Sequence, residues 1–146
     1  MIVIMNDIYE QILKLKYFCH CHERRISTYC QISLAELKGL KAMEGEESIT
    51  CSDFSKKINL SPSRSSRIID NLVRKGLLLR KIGENDRRST LLYFTDKGWD
   101  LKESIRLEEE KLEKLFTSEL GSEDIEIIRK GLKLLEKIME NNFLRR

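Results

Sequence analysis

The stretch Ser61-Pro62-Ser63-Arg64-Ser65-Ser66-Arg67-Ile68-Ile69-Asp70-Asn71-Leu72-Val73-Arg74-Lys75-Gly76 decides how the rest of the chain is read. A serine followed by proline is a strong helix start. The hydroxyl accepts from an orphan amide, and proline at the first helical position gives up no hydrogen bond it would have made. Gly76 ends the helix. Ser65, Ile69, Leu72 and Gly76 fall at i, i+4, i+7 and i+11, a stripe expected to pack on the body of the protein. Arg64, Arg67, Asn71 and Arg74 fall on an outward stripe of long donors, with the short Ser63 and Ser66 beside them.

On the C-terminal side, Leu77–Ile82 and Thr90–Phe94 read as two strands joined by the polar loop of residues 83–89, which carries Asp86, Arg87 and Arg88. On the N-terminal side, Thr50 caps a helix of Cys51–Ile58, and Asn59-Leu60-Ser61 is the turn between the two helices. Further upstream, Ser33 and Glu36 have the spacing of a capping box, with Gly45 closing that helix. Ile8, Ile12, Leu15 and Cys19 recur at helical spacing within about 6–25. Thr95 caps a long helix of about 96–119, and Gly121-Ser122 caps another to about Phe143. The expected fold is mainly α with a small β-hairpin wing: a winged helix-turn-helix core between long N- and C-terminal helices. The expected organisation is 1–32 (N-terminal helix), 33–95 (winged helix-turn-helix) and 96–146 (two C-terminal helices), with both terminal regions serving dimerisation.

A 146-residue chain with 35% charged and 7% aromatic residues suits a helix-rich globular protein. Its net charge of +3 is unevenly spread. Ser61–Thr90 holds eight basic and three acidic residues, a local net of +5, which leaves −2 for the remainder. That imbalance is the electrostatic footprint of a nucleic-acid reader. A helix fits the major groove, where Arg and Asn pair with base edges. Serines at the helix start suit phosphate. Arg87 and Arg88 are placed to enter a minor groove, with Asp86 buttressing a guanidinium, and Arg80 and Lys81 extend the basic surface along the strand. The residues expected at DNA are Ser61, Ser63, Arg64, Ser66, Arg67, Asn71, Arg74, Arg87 and Arg88.

These motifs resemble the multiple-antibiotic-resistance-regulator (MarR) family. The likeness rests on Leu60-Ser61-Pro62-Ser63, Ser66–Leu77, Asp86-Arg87-Arg88 and Phe94-Thr95-Asp96-Lys97-Gly98. It implies an obligate homodimer, most often a repressor, on a pseudo-palindromic duplex. It also implies that Arg88 reaches the minor groove with Asp86 orienting it, and that effectors bind between the dimer interface and the reading heads. The residues themselves favour a dimer. Ile125, Ile128, Leu132, Leu135 and Met139 form a stripe that Ile127, Leu134 and Ile138 widen, and Ile2, Ile4, Ile8 and Ile12 add apolar surface at the other end. A monomer whose two ends pair with each other is the competing arrangement.

Cys19-His20-Cys21-His22 invites a metal reading, but residues two apart on a helix point about 200° from each other. No metal or cofactor is expected. Cys19, Cys21, Cys30 and Cys51 are candidate redox thiols. Cys51 lies in a first helical turn, where the dipole favours thiolate. For Cys19, which continues an apolar stripe, core packing is the competing reading. The expected partners are double-stranded DNA, a second copy of the chain, and a small-molecule or oxidant effector. A winged helix that binds only other proteins is the alternative. No Gly-rich phosphate loop or nucleophile motif suggests an enzyme. Met1–Met5 lacks the features of a secretion signal and no run is long enough for a membrane span, so the cytoplasm is the expected compartment.

Overall fold

The computed structural model describes residues 7–43, 45, 47–83 and 89–144. The chain forms two units, residues 1–106 and 107–146. In the first, α1 (Asp7–Tyr29) is followed by α2 (Leu34–Ala42), β1 (Ser48–Thr50), α3 (Cys51–Lys57), α4 (Pro62–Arg74), β2 (Leu78–Ile82) and β3 (Thr90–Phe94). Helix α5 (Asp96–Glu119) begins in the first unit and runs into the second. There α6 (Ser122–Met139) continues as a π-helical turn over Glu140–Leu144. This mainly helical order with a small antiparallel sheet is the expected fold class.

The helix starts follow local chemistry. The Ser33–Glu36 capping box is closed in both directions: Ser33 Oγ accepts from Glu36 N at 3.1 Å, and Ser33 N donates to Glu36 Oε2 at 2.8 Å. Thr50 Oγ1 accepts from Asp53 N, Ser61 Oγ from Arg64 N, and Thr95 Oγ1 from Gly98 N. Gly121 caps α6 through its backbone alone, and Ser122 is the first helical residue. Helix α2 ends at Ala42 with Met43 as its C-cap, so Gly45 (φ 80°) lies beyond the end it was expected to close.

The sheet has the order β1-β3-β2, all antiparallel, with Ser48–Thr50 as its third, edge strand. Ser48 opposes Tyr93, and Leu78 opposes Phe94. The core of the first unit lies between this sheet and α2, α3 and α4. Leu37, Leu40, Phe54, Ile69, Leu72, Leu78 and Leu92 are all nearly inaccessible. Gly98 is fixed by a close approach. A Cβ there would fall 2.0 Å from the Leu77 carbonyl oxygen, so only glycine lets α5 start against that strand. Thr95 seals the same corner by donating from Oγ1 to Gly76 O at 2.6 Å.

Helix α1 joins this unit near its C-terminal end, where Ile26 and Ser27 are buried. Ile8, Leu15 and Cys19 are exposed in the single chain, so core packing, the competing reading for Cys19, does not hold within it. Tyr9, Tyr17 and Phe18 stand exposed on the same helix. In the second unit, α6 has no buried residue, and Ile127, Leu134 and Ile138 are exposed.

Candidate nucleic-acid interface

Helix α4 separates its faces sharply. Ser65, Ile68, Ile69 and Leu72 are buried, while Ser63, Arg64, Ser66, Arg67 and Arg74 are exposed and Asn71 is half-buried. Ile68 thus joins the expected inner stripe. Gly76 does not, because it sits exposed in the turn after the helix with φ 70°. Among the described residues Arg64 and Arg67 make no ion pair. Arg74 donates to Asn71 Oδ1 at 3.2 Å, so those two outward side chains already form a linked donor group. The Ser61 and Ser63 hydroxyls lie 3.2 Å apart at the helix start.

The helix is tied to its neighbours by polar contacts. The Ser65 hydroxyl, on the inner face, meets the Ser55 hydroxyl of α3 in a short hydrogen bond across the turn between the helices. That turn contains Asn59 with φ 54°, in the left-handed region that asparagine tolerates better than most residues. Asp70 Oδ1 accepts from an Arg80 guanidinium nitrogen at 2.7 Å, joining α4 to β2. Lys75, just past the helix, reaches Glu36 Oε2 at 2.7 Å.

Arg80 and Lys81 do not form a continuous basic surface along β2. Successive strand residues point to opposite faces. Arg80 turns to Asp70 and lines a groove with Cys51 and Ser66, whereas Lys81 lies over the Tyr93 ring, 5.1 Å from its centroid. Of the expected interface, Asp86, Arg87 and Arg88 fall outside the described residues. The pairing of Asp70 with Arg80 is absent from the sequence expectation. The one signal for it was an acidic side chain on an otherwise basic helix.

The four cysteines form no disulfide. Cys19 is exposed, while Cys21, Cys30 and Cys51 are half-buried. Cys30 packs against the core. Cys51 departs from expectation: burial pushes its thiol up despite the opposing pull of Arg80, so the first-turn dipole does not produce a low-pKa thiolate. On α1, the hydrogen bond between Tyr17 and Cys21 raises the Tyr17 hydroxyl above its ordinary value. Among the described residues no three His, Cys, Asp or Glu side chains come together to hold a metal ion. Nor is any described helix long and apolar enough to cross a membrane.

Two helices across a tight turn, with the second exposing arginines and followed by a β-hairpin, define a winged helix-turn-helix protein. Residues 32–90 match the MarR family. The chain is similar to YdgJ of Bacillus subtilis (strain 168), an uncharacterized HTH-type transcriptional regulator. The identity is 30% over 93 residues, covering 64% of this chain and 57% of that protein, less than two thirds of the relative's length. Among solved structures it is similar to the transcriptional regulator Tm0710 from Thermotoga maritima. That likeness has 26% identity, a TM-score of 0.67, and coverage of 94% of this chain and 98% of the other. Wild-type MarR from E. coli in its apo form shares the fold, with a TM-score of 0.73 at 20% identity over 92% of this chain and 98% of that one.

Proposed function

We propose that this chain is a sequence-specific double-stranded DNA-binding transcriptional regulator that acts as a homodimer on a pseudo-palindromic operator. The observation that carries the reading is the exposed Arg64 and Arg67, without an ion pair among the described residues, on the face of α4 opposite the buried Ser65, Ile69 and Leu72. Such a helix presents long donors to a major groove while its inner face keeps it on the protein. Arg67, Asn71 and Arg74 are the base readers in this account. Ser61, Ser63, Arg64 and Ser66 serve the phosphates at the helix start. Arg87 and Arg88 enter the minor groove beside the wing, with Asp86 as their buttress, on sequence grounds alone.

The dimer is supported by the uncovered apolar side chains of α1 and α6. Monomers rarely leave so much apolar helix surface in water. Two copies bring two reading heads to half-sites about one helical turn, roughly 34–36 Å, apart. Repression, a cytoplasmic location, and relief by a small ligand or by thiol oxidation are proposals that rest on the family.

Selection of duplexes from a random-sequence pool, with and without reductant, tests the whole reading. It predicts enrichment of an inverted repeat bound by a dimer. Enrichment of nothing, with the protein running as a monomer, would favour a winged helix that binds only proteins.

A further inference from the structure

The C-terminal end of α4 is held by contacts that its outward face does not use. Lys75 Nζ donates to Glu36 Oε2 at 2.7 Å and to Gln31 O at 3.4 Å. The Glu36 side chain is 4% exposed, and the same oxygen accepts Ser33 N at 2.8 Å. Gln31 lies in the left-handed region, with φ 56°. The Lys75 carbonyl in turn accepts from Lys97 Nζ at 2.8 Å. One lysine therefore joins the end of α4 to the α1–α2 turn and the first turn of α2, and its carbonyl reaches the start of α5.

The apolar contacts of Ile68, Ile69 and Leu72 decide which face of α4 is inward but set its fine roll less sharply than a directional polar contact does. A roll of about 20° moves the surface of a helix about 10–12 Å across by roughly 2 Å, enough to break a paired bond to a base edge. An ion pair with a buried carboxylate adds little net stability over an apolar pair of the same shape. It is directional, however, and geometry is what it supplies.

We infer that Glu36 and Lys75 are positioning residues that set the roll of α4, and so govern how sharply Arg67, Asn71 and Arg74 discriminate between DNA sequences. This rests on the DNA-reading role proposed above for α4. Glu36 itself is buried behind α4 and touches no DNA in this account.

The test compares wild type, Glu36→Gln, Lys75→Gln and the double variant. The probes are the duplex that wild type enriches from a random pool and a scrambled duplex of the same composition. Glu36→Gln keeps an acceptor for Ser33 N and removes the charge. It is expected to lower the ratio of the two affinities about tenfold, with the double variant adding little beyond either single change. Its salt dependence on the scrambled duplex stays that of wild type, since no phosphate contact is lost. Without DNA, amide exchange over residues 71–77 quickens in the same variant. An unchanged ratio, or equal losses on both duplexes, would overturn the inference. So would a silent Glu36→Gln beside a Lys75→Gln that only flattens the salt dependence, because Lys75 would then be a plain phosphate ligand. If wild type enriches no duplex, the DNA reading of α4 fails by itself, and unchanged exchange over 71–77 would then refute the positioning role.

Discussion

Asp70 on α4 and Arg80 on β2 meet through a 2.7 Å contact, so the helix and the wing strand of the proposed DNA surface are joined side chain to side chain. Both partners are roughly 40% exposed, at 46% and 38%. Such a pair contributes little to stability because water competes for both charges. Its value lies in holding the strand at a fixed offset from the helix.

Asp70→Ala is therefore expected to cost less than about 1 kcal/mol in chemical denaturation. Duplex affinity, measured by fluorescence anisotropy, should fall several-fold as Arg80 and the strand lose their anchor. A large loss of stability with wild-type affinity in the folded fraction would reverse the assignment.

Gly98→Ala tests the corner between β2 and α5. Its Cβ would meet the Leu77 carbonyl oxygen at 2.0 Å, and that carbonyl is already engaged by Thr95 N. Backbone must shift, at a cost of about 2–3 kcal/mol. Urea denaturation should show it, and a neutral result would mean the corner is looser than described.

Two residues in the left-handed region should respond differently to glycine. Gln31 is exposed and strained there, so Gln31→Gly should raise stability by about 0.5–1 kcal/mol after the entropy of the unfolded glycine is counted. Asn59→Gly should change little, because asparagine adopts this conformation readily. Thermal unfolding of the two variants side by side separates them.

Burial raises the Cys51 thiol, so it stays protonated in the fold where the unfolded chain has begun to ionise. Its contribution to stability is complete below the unfolded thiol's value and is lost as pH rises beyond it. In the native protein Cys51 should alkylate more slowly than in the urea-unfolded chain at the same mildly alkaline pH. Mass mapping of the labelled peptides reads this directly, and labelling of Cys51 as fast in the fold as in urea would contradict it.

What could be seen in the sequence was what local chemistry decides. Ser61-Pro62, Ser33 with Glu36, Thr50 and Thr95 each announce a helix start because the cap and its amide partner are neighbours in the chain. The division of α4 into Ser65, Ile69 and Leu72 against Arg64, Arg67 and Arg74 follows from helical period alone. Contacts across the fold were invisible. Glu36 and Lys75 lie on different helices, and Asp70 and Arg80 on a helix and a strand. The opposite facing of the neighbours Arg80 and Lys81, by contrast, follows from strand alternation and was legible once β2 was read as a strand. Gly98 read only as part of a motif, since its reason is the carbonyl of Leu77. The left-handed Gln31 gave no signal, because it closes α1 in a helix-ending turn, Gln31 N to Thr28 O and Ile32 N to Ser27 O, at a position where glycine or asparagine is the usual mark.

The central claim is that Arg67 and its neighbours on α4 read DNA. Its most direct test is the salt dependence of duplex binding by wild type and Arg67→Ala, on the enriched and scrambled duplexes. The account predicts that wild-type affinity falls steeply and linearly on a log–log plot as salt rises. Arg67→Ala should lose about 1–3 kcal/mol on the enriched duplex and far less on the scrambled one. Salt-insensitive binding, or an Arg67→Ala variant that separates the two duplexes as well as wild type does, would contradict it.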